Sequence, residues 1–406
     1  MQIYPYRFHV ALDGNGLNGL EGLAGVCQFL FDPADNSHAW KISYFDGIAG
    51  GHAVSVNDKG TIGFLGNTGQ HLLLYDAGDS RELARQSTLA FESSDTSLRG
   101  STHVVWLSEH EFITAIGDFF YRFDARRLSA GEKIGAHGVK LPHAIKRTAS
   151  GRWLVYGSMD HPRSGEAREV GIFDLRTGVC RRVELPTTCW HVAVDATLDH
   201  FYALSFRVLP QGGDNWHEWA MAYMKEYAFE IDAASGSVLR HWAAGRDVPA
   251  HINSDVTVSD SELIFCNGAS QTIMMIERES FARWRMIDER PDLGTLVENR
   301  RSLGGQVADA LTRGNVVSDS RHFLAALRIS RFAVLDSVYA CQLSADQALL
   351  FTANRGLNHI TVYDYPSNDI RLRVKMPALQ EFVPMSPRGD PRLGFHHGAV
   401  WSAKSP

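Results

Sequence analysis

The stretch LPHAIKRTASGRWLVYGSMDHPRSGEAREVGIFDLRTGVCRRVELP, residues 141–186, decides the fold class of this chain. It contains four short runs of apolar or alternating residues. Clusters of Gly, Asp and Ser separate the runs, which is typical of strands joined by turns. The predicted strands cover residues 143–148, 152–158, 169–175 and 179–185. The stretch therefore predicts one four-stranded β unit.

An acidic residue closes the third strand of this unit, and the same phrase recurs along the chain. Asp suits this place because its carboxylate accepts hydrogen bonds from the backbone N–H groups of the following turn. The seven copies end at Asp32, Asp76, Asp124, Asp174, Asp232, Glu277 and Asp364. Seven four-stranded units in 406 residues match the repeat length of a propeller blade. The predicted fold class is all-β, and the predicted architecture is a seven-bladed β-propeller.

A second mark lies upstream of each acid, where an apolar run ends in Asn or a small polar residue. Examples are IGFLGN (62–67), WLVYGS (153–158) and LLFTAN (349–354). The fullest copy, VYACQLSADQALLFTANRGLNHITVYD at 338–364, resembles the YVTN-type propeller repeat. The resemblance implies a propeller fold and leaves the activity open, because propellers host many unrelated functions.

The two ends of the chain are predicted to complete one blade together. Residues 1–50 lack a first strand, and FHHGAVWS at 395–402 looks like a first strand without successors. Pairing them would close the ring and remove exposed sheet edges. Residues 1–406 then form a single domain with two insertions, a Trp-rich loop at 207–226 and a partly helical segment at 290–332. Long insertions in compact domains are often lids or binding loops.

Composition narrows the function classes. The net charge of −6 and the lack of a basic stripe argue against nucleic acid or an anionic membrane as a partner. We find no secretory signal and no apolar run of about 20 residues. The five Cys form no CxxC pair, so buried free thiols in a cytoplasmic setting are expected. There is no GxSxG, HExxH or dinucleotide fingerprint.

Histidine is the residue type that stands out, with 18 copies, and many begin a predicted first strand. Aligned first strands share a His in six of the seven blades. These residues are His52, His103, His143, His191, His251 and His397. First strands line a propeller's central channel, so the alignment predicts a ring of imidazoles there. His396 is expected to face away, because neighbouring residues of a strand point to opposite faces.

Imidazoles facing one another in a narrow channel need a partner. Unpaired nitrogens in a dry site are costly, and charged rings would repel. A metal ion satisfies them, and imidazole suits Cu, Fe, Zn and Ni. The sequence therefore predicts a transition-metal site, most simply Cu or Fe, with Zn or Mn as further options. An open His-rich site fits an enzyme that oxidises or oxygenates a small organic molecule.

The six aligned histidines, which we call the His column, resemble the channel histidines of propellers that hold a metal ion. These are the carotenoid-cleaving oxygenases, the selenium-binding and methanethiol oxidase group, and nitrous oxide reductase. The resemblance is limited to the column and implies a ligand ring, without assigning this chain to any of those families.

Two alternatives remain open at this point. One is a metal-assisted lyase, cyclase or lactonase, with a channel His as base. The other is a non-enzymatic interaction propeller whose histidines are structural or hold channel water, as YVTN-type repeats often begin with a polar residue or His.

Other residues are assigned by position. Tyr339 takes the place of the His in the blade that lacks one and could act as a hydroxyl donor or proton relay. Asp255 could orient an imidazole and take part in catalysis, or it could be a solvated acid. Trp216, His217 and Trp219 lie in the first insertion and are predicted to contact substrate.

Overall fold

The structure is a computed structural model. It describes residues 4–13, 23–93, 100–159, 167–206, 226–244, 253–267, 272–289, 338–384 and 391–403. Within these ranges the chain forms 28 strands, numbered β1 to β28 in chain order, which pair into seven antiparallel four-stranded sheets. The all-β, seven-bladed propeller predicted from the repeat is confirmed.

Blade 1 is built from both ends of the chain, as predicted. Its strands from the inside outwards are β28 (Phe395–Ser402), β1 (Tyr6–Asp13), β2 (Leu23–Asp32) and β3 (Ser37–Asp46). The aromatic rings of Phe8 and Phe31 lie 5.6 and 6.2 Å from that of Phe351 in blade 7. Each buried Phe side chain contributes about 1.5–3 kcal/mol, so this contact helps to hold the ring closed.

The other six blades each use four consecutive strands. Blade 2 consists of β4 (Gly51–Val56), β5 (Ile62–Asn67), β6 (His71–Asp76) and β7 (Glu82–Ser87). Blade 3 consists of β8 (Val104–Trp106), β9 (Glu111–Ile116), β10 (Phe119–Asp124) and β11 (Glu132–Ala136). Blade 4 consists of β12 (Pro142–Arg147), β13 (Trp153–Ser158), β14 (Glu169–Asp174) and β15 (Val179–Glu184). Blade 5 consists of β16 (Cys189–Val194), β17 (His200–Ser205), β18 (Tyr227–Asp232) and β19 (Val238–Ala243). Blade 6 consists of β20 (Asn253–Val258), β21 (Glu262–Asn267), β22 (Thr272–Glu277) and β23 (Trp284–Asp288). Blade 7 consists of β24 (Val338–Leu343), β25 (Leu349–Asn354), β26 (His359–Asp364) and β27 (Asp369–Lys375). Single 3₁₀ turns span Thr88–Ala90 and Leu379–Glu381.

The recurrent acid has the role that the sequence predicts. Each of the seven acids ends the third strand of its blade. The Oδ1 atom of Asp76 accepts the backbone N–H of Gly78 at 2.7 Å, and that of Asp174 accepts the N–H of Arg176 at 2.9 Å. The side chain thus forms the turn into the fourth strand, which explains why the phrase repeats.

The first strand of each blade lies innermost, and neighbouring first strands contact one another around the ring. They run in one direction, so all of them begin at the same end of the propeller, which we call the entry end. Second strands run back and finish at the entry end. Among the described residues, no helix is long and apolar enough to cross a membrane.

Candidate metal centre

A β-bulge recurs where the inner strands enter the channel. In blade 2, Gly51 pairs with Asn67 and Val54 with Leu65, so two residues oppose one. The same one-residue excess occurs on β12, β16, β20, β24 and β28. A bulge bends its strand and re-aims side chains, so it turns residues near the strand start towards the centre of the ring.

The pairing register divides the histidines between two neighbouring positions. His52 and His143 directly follow the residue that pairs with the end of the second strand. His191 lies one residue further along its strand, because the residue that pairs with Ser205 at the end of β17 is Cys189. His103 also lies one residue further along its strand. Val104 pairs with Thr114 as Val54 pairs with Leu65, two residues before the end of the second strand, so His103 corresponds to Ala53. The sequence alignment, which put these histidines in nearly the same place, differs from the pairing register by one residue for His103 and His191.

Four imidazoles from four consecutive blades meet near the entry end. One nitrogen from each of His397, His52, His103 and His143, in blades 1 to 4, lies within 4.8 Å of the other three. The Nε2 atoms of His52 and His143 are 2.6 Å apart. The ring centroids of His103 and His143 are separated by 4.3 Å, and those of His52 and His397 by 5.0 Å. These four residues are called the His cluster.

Backbone and side-chain contacts orient the His cluster. His143 Nδ1 donates its hydrogen to the carbonyl of Trp190 at 3.0 Å, which leaves the lone pair on Nε2, facing His52. His103 Nδ1 lies 3.1 Å from Thr102 Oγ1. Ala144, next to His143, has a φ of 51°. A non-glycine residue rarely adopts that conformation, and such local strain is concentrated at functional sites.

Three imidazoles of the His cluster, those of His52, His103 and His143, are held in the neutral form that binds a cation. Burial, followed by the charges of neighbouring histidines, lowers the pKa of His52 and His103 well below the ordinary value. Burial and the charge of His397 lower the pKa of His143 to about 3, although the hydrogen bond with the Trp190 carbonyl opposes the shift. A neutral imidazole carries the lone pair that a metal requires.

The His cluster fits a transition-metal ion. Coordinated nitrogens about 2.0–2.1 Å from an ion lie roughly 3 Å apart, which falls between the 2.6 Å and 4.8 Å found here. Both nitrogens of His397 are buried with no hydrogen-bond partner among the described residues. The cluster contains no carboxylate or thiolate, and an all-imidazole set suits Cu, Fe, Zn or Ni.

Three further groups complete the ring on the side of blades 5 to 7. The ring centroid of His191 lies 4.9 Å from that of His143 and 5.0 Å from that of His397. Asp255 Oδ1 is 3.7 Å from His397 Nδ1. The Tyr339 ring centroid lies 5.5 Å from that of His397. The structure thus brings five of the six predicted ligands together with Tyr339 and Asp255.

His396 also joins this group, and the prediction that it faces away was wrong. Its ring centroid lies 4.2 Å from that of His52, 4.3 Å from that of Tyr339 and 4.6 Å from that of His397. The reason is the bulge of β28, where Phe395 pairs with Leu12 and Gly398 with Val10. A bulge suspends the alternation of side chains on which the prediction relied.

The remaining predicted residues fall outside the described ranges. They are His251, Trp216, His217 and Trp219, together with the 290–332 insertion. In blade 6, Asn253 pairs with Asn267, so Ser254 and Asp255 hold the positions that correspond to His52 and Ala53. The sequence alignment had given that place to His251.

Because Gly157 has no side chain, the backbone carbonyl of Trp190 can come close enough to accept the hydrogen bond that orients His143. A Cβ atom there would lie 2.0 Å from the carbonyl oxygen of Trp190, the acceptor for His143 Nδ1. We expect Gly157→Ala to displace this carbonyl and weaken metal binding about tenfold or more, as loss of a partner of a metal-bound His does. The control is Gly78→Ala, where the nearest atom would be Asp76 Oδ1 at 3.1 Å. Equal metal affinity for both variants in a chelator competition would contradict this role.

Comparison with known proteins identifies the fold and no family. No family model and no curated protein match the sequence. Among solved structures, hydrazine synthase of Kuenenia stuttgartiensis superimposes with a TM-score of 0.56 at 11% identity, covering 81% of this chain and 87% of that chain. Dihydro-heme d1 dehydrogenase NirN in complex with DHE gives a TM-score of 0.48 at 11% identity, covering 96% and 67%. The first likeness supports the propeller fold alone.

Proposed function

We propose that the protein is an enzyme that holds one transition-metal ion, most simply copper or iron, on His52, His103, His143 and His397. It acts on a small organic molecule by oxidation or oxygenation. The observation that carries the proposal is the convergence of four imidazole nitrogens within 4.8 Å of one another in the channel.

A redox-active metal would supply electron transfer or oxygen activation, while the protein supplies neutral nitrogen ligands and a hydrogen-bond donor. Burial raises the pKa of Tyr339, so its hydroxyl remains protonated and can donate a hydrogen bond. The carboxylate of Asp255 is held in place, since Oδ2 accepts the Gln342 side-chain amide at 2.9 Å and the Cys341 backbone N–H at 3.2 Å. This holds a carboxylate oxygen, Oδ1, 3.7 Å from His397 Nδ1.

The entry end is where substrate would reach the metal. The His cluster lies near the start of the inner strands, and β17 and β23 also meet loops there. The Trp-rich insertion follows β17, and the 290–332 insertion follows β23. Because β17 ends at the entry end, we retain Trp216, His217 and Trp219, which follow it in the sequence, as proposed substrate-binding residues.

The test compares oxygen consumption by protein loaded with copper, iron or zinc. Small neutral thiols, phenols and aldehydes are offered in air, and an oxygen electrode follows uptake. We expect uptake with copper or iron and none with zinc, because zinc has no redox chemistry in proteins. Product formation by the zinc form without oxygen uptake would replace the proposal with a lyase or lactonase. Metal-loaded protein that acts on none of these compounds would contradict oxidation of these classes.

A further inference from the structure

A cavity outside the His cluster reaches His103 from the entry end. It is partly open, has a volume of about 180 Å³ and lies between blades 2, 3 and 4. Leu141 and Met159 line it and are half-buried, so the fold leaves part of their apolar surface accessible around a concave site. Apolar pockets with a few polar groups are typical of small-molecule sites.

Apart from the His103 imidazole, the described side chains that line this cavity carry few polar atoms. Thr68 and Thr102 contribute hydroxyl groups, and the other lining side chains are apolar. They are Ala115, Leu141, Pro142, Ile145 and Met159. No carboxylate, Lys or Arg is among the described residues that line the cavity. An ionised ligand group would therefore lose its hydration without gaining a partner, which is unfavourable by several kcal/mol.

The space matches a molecule the size of a single aromatic ring. An engineered protein cavity of about 150 Å³ binds benzene, so about 180 Å³ accommodates a ring with a small substituent. A second cavity of about 80 Å³ also touches His103, and Ser55, Lys146 and Gln342 line it. His103 thus lines both an apolar space and a smaller one that contains more polar groups and has room for water.

From this geometry we propose that the cavity is the substrate pocket of the metal centre. It takes a small, uncharged and mainly apolar molecule, about the size of a substituted benzene ring, placed against His103. A hydroxyl or similar group of the ligand would meet Thr102 or Thr68. That the bound molecule is a substrate rests on the proposed function, whereas the binding site itself is inferred from the cavity.

Binding of toluene, phenol and benzoate to the full chain tests the proposal. Calorimetry or ligand-observed NMR should show toluene and phenol bound, with benzoate at least tenfold weaker. Leu141→Asp places a carboxylate in the lining and should weaken toluene binding at least tenfold without changing metal content. The matched control is Leu239→Asp on outer strand β19, where the leucine is 48% exposed and toluene binding should be unaffected. Ala115→Leu, which fills the cavity, is a second blocking variant.

The outcomes separate this pocket from the metal centre. Toluene binding that persists in His52→Ala/His397→Ala, whose altered residues do not line the cavity, supports the pocket even if no metal is found. Metal-loaded protein that binds neither toluene nor phenol would overturn the pocket and leave the metal site intact. Equal toluene affinity for Leu141→Asp and Leu239→Asp, or benzoate binding more tightly than toluene, would also overturn it.

Discussion

Metal-free protein should lose much of its stability between pH 7.5 and 5.5. Burial and like-charged neighbours lower the pKa of His52, His103, His143, His191 and His396. In the unfolded chain these residues take up protons below a pKa of about 6.5, whereas in the folded protein they stay neutral. The unfolded state then binds more protons, so the free energy of unfolding falls as the pH falls.

The expected effect is large because the shifts act together. At pH 5.5 each such imidazole lowers the free energy of unfolding by about 1.4 kcal/mol, since its unfolded form is protonated and its folded form is not. Five of them approach about 7 kcal/mol, comparable with the whole stability of many domains. Urea unfolding with a chelator present, at both pH values, measures the change.

Two variants show whether the channel causes this pH dependence. His191→Leu should reduce the loss of stability by about 1.4 kcal/mol, because one shifted group is gone. His38→Leu, at an exposed position of β3, should leave the loss unchanged. A free energy of unfolding that does not change between pH 7.5 and 5.5 would show that the channel imidazoles titrate normally.

Replacing His143 with Ala should weaken metal binding at least about 100-fold, whereas His191→Ala should weaken it less than tenfold. His143 contributes a nitrogen to the His cluster, and removal of one ligand from a four-nitrogen set typically has a large effect. His191 is equally buried, and its ring centroid lies 4.9 Å from that of His143, but it is outside the four. Competition with a chromophoric chelator gives both affinities.

This pair is a close control, because both variants remove a buried channel imidazole. Equal losses would show that the ion lies nearer the centre of the whole ring. A larger loss for His191→Ala would move the site towards blades 5 and 6.

The fold could be predicted because its signal is local and repeated. Asp174 and its six counterparts each end a third strand where a turn begins, so sequence spacing alone reveals the blades. The four strands predicted in residues 141–186 differ from β12 to β15 by at most one residue at each end. The joint terminal blade followed from a missing first strand at one end and a spare one at the other.

The site could be predicted only in outline, because its geometry depends on register. A bulge adds one residue to a strand without changing its apolar pattern, so spacing could not show that His103 and His191 stand one position later than His52. For the same reason His396 was expected to face away. The doubled His at 396–397 followed by Gly398, where every other first strand has at most one predicted His, was the sequence feature that indicated the bulge of β28.

The most direct test is elemental analysis by mass spectrometry of protein purified without a His tag, beside His143→Ala/His397→Ala. We predict close to one copper or iron ion per chain in the unaltered protein and almost none in the variant. Absence of metal from both proteins, with no change in thermal stability when Cu, Fe, Zn or Mn salts are added, would contradict a metal centre at the His cluster.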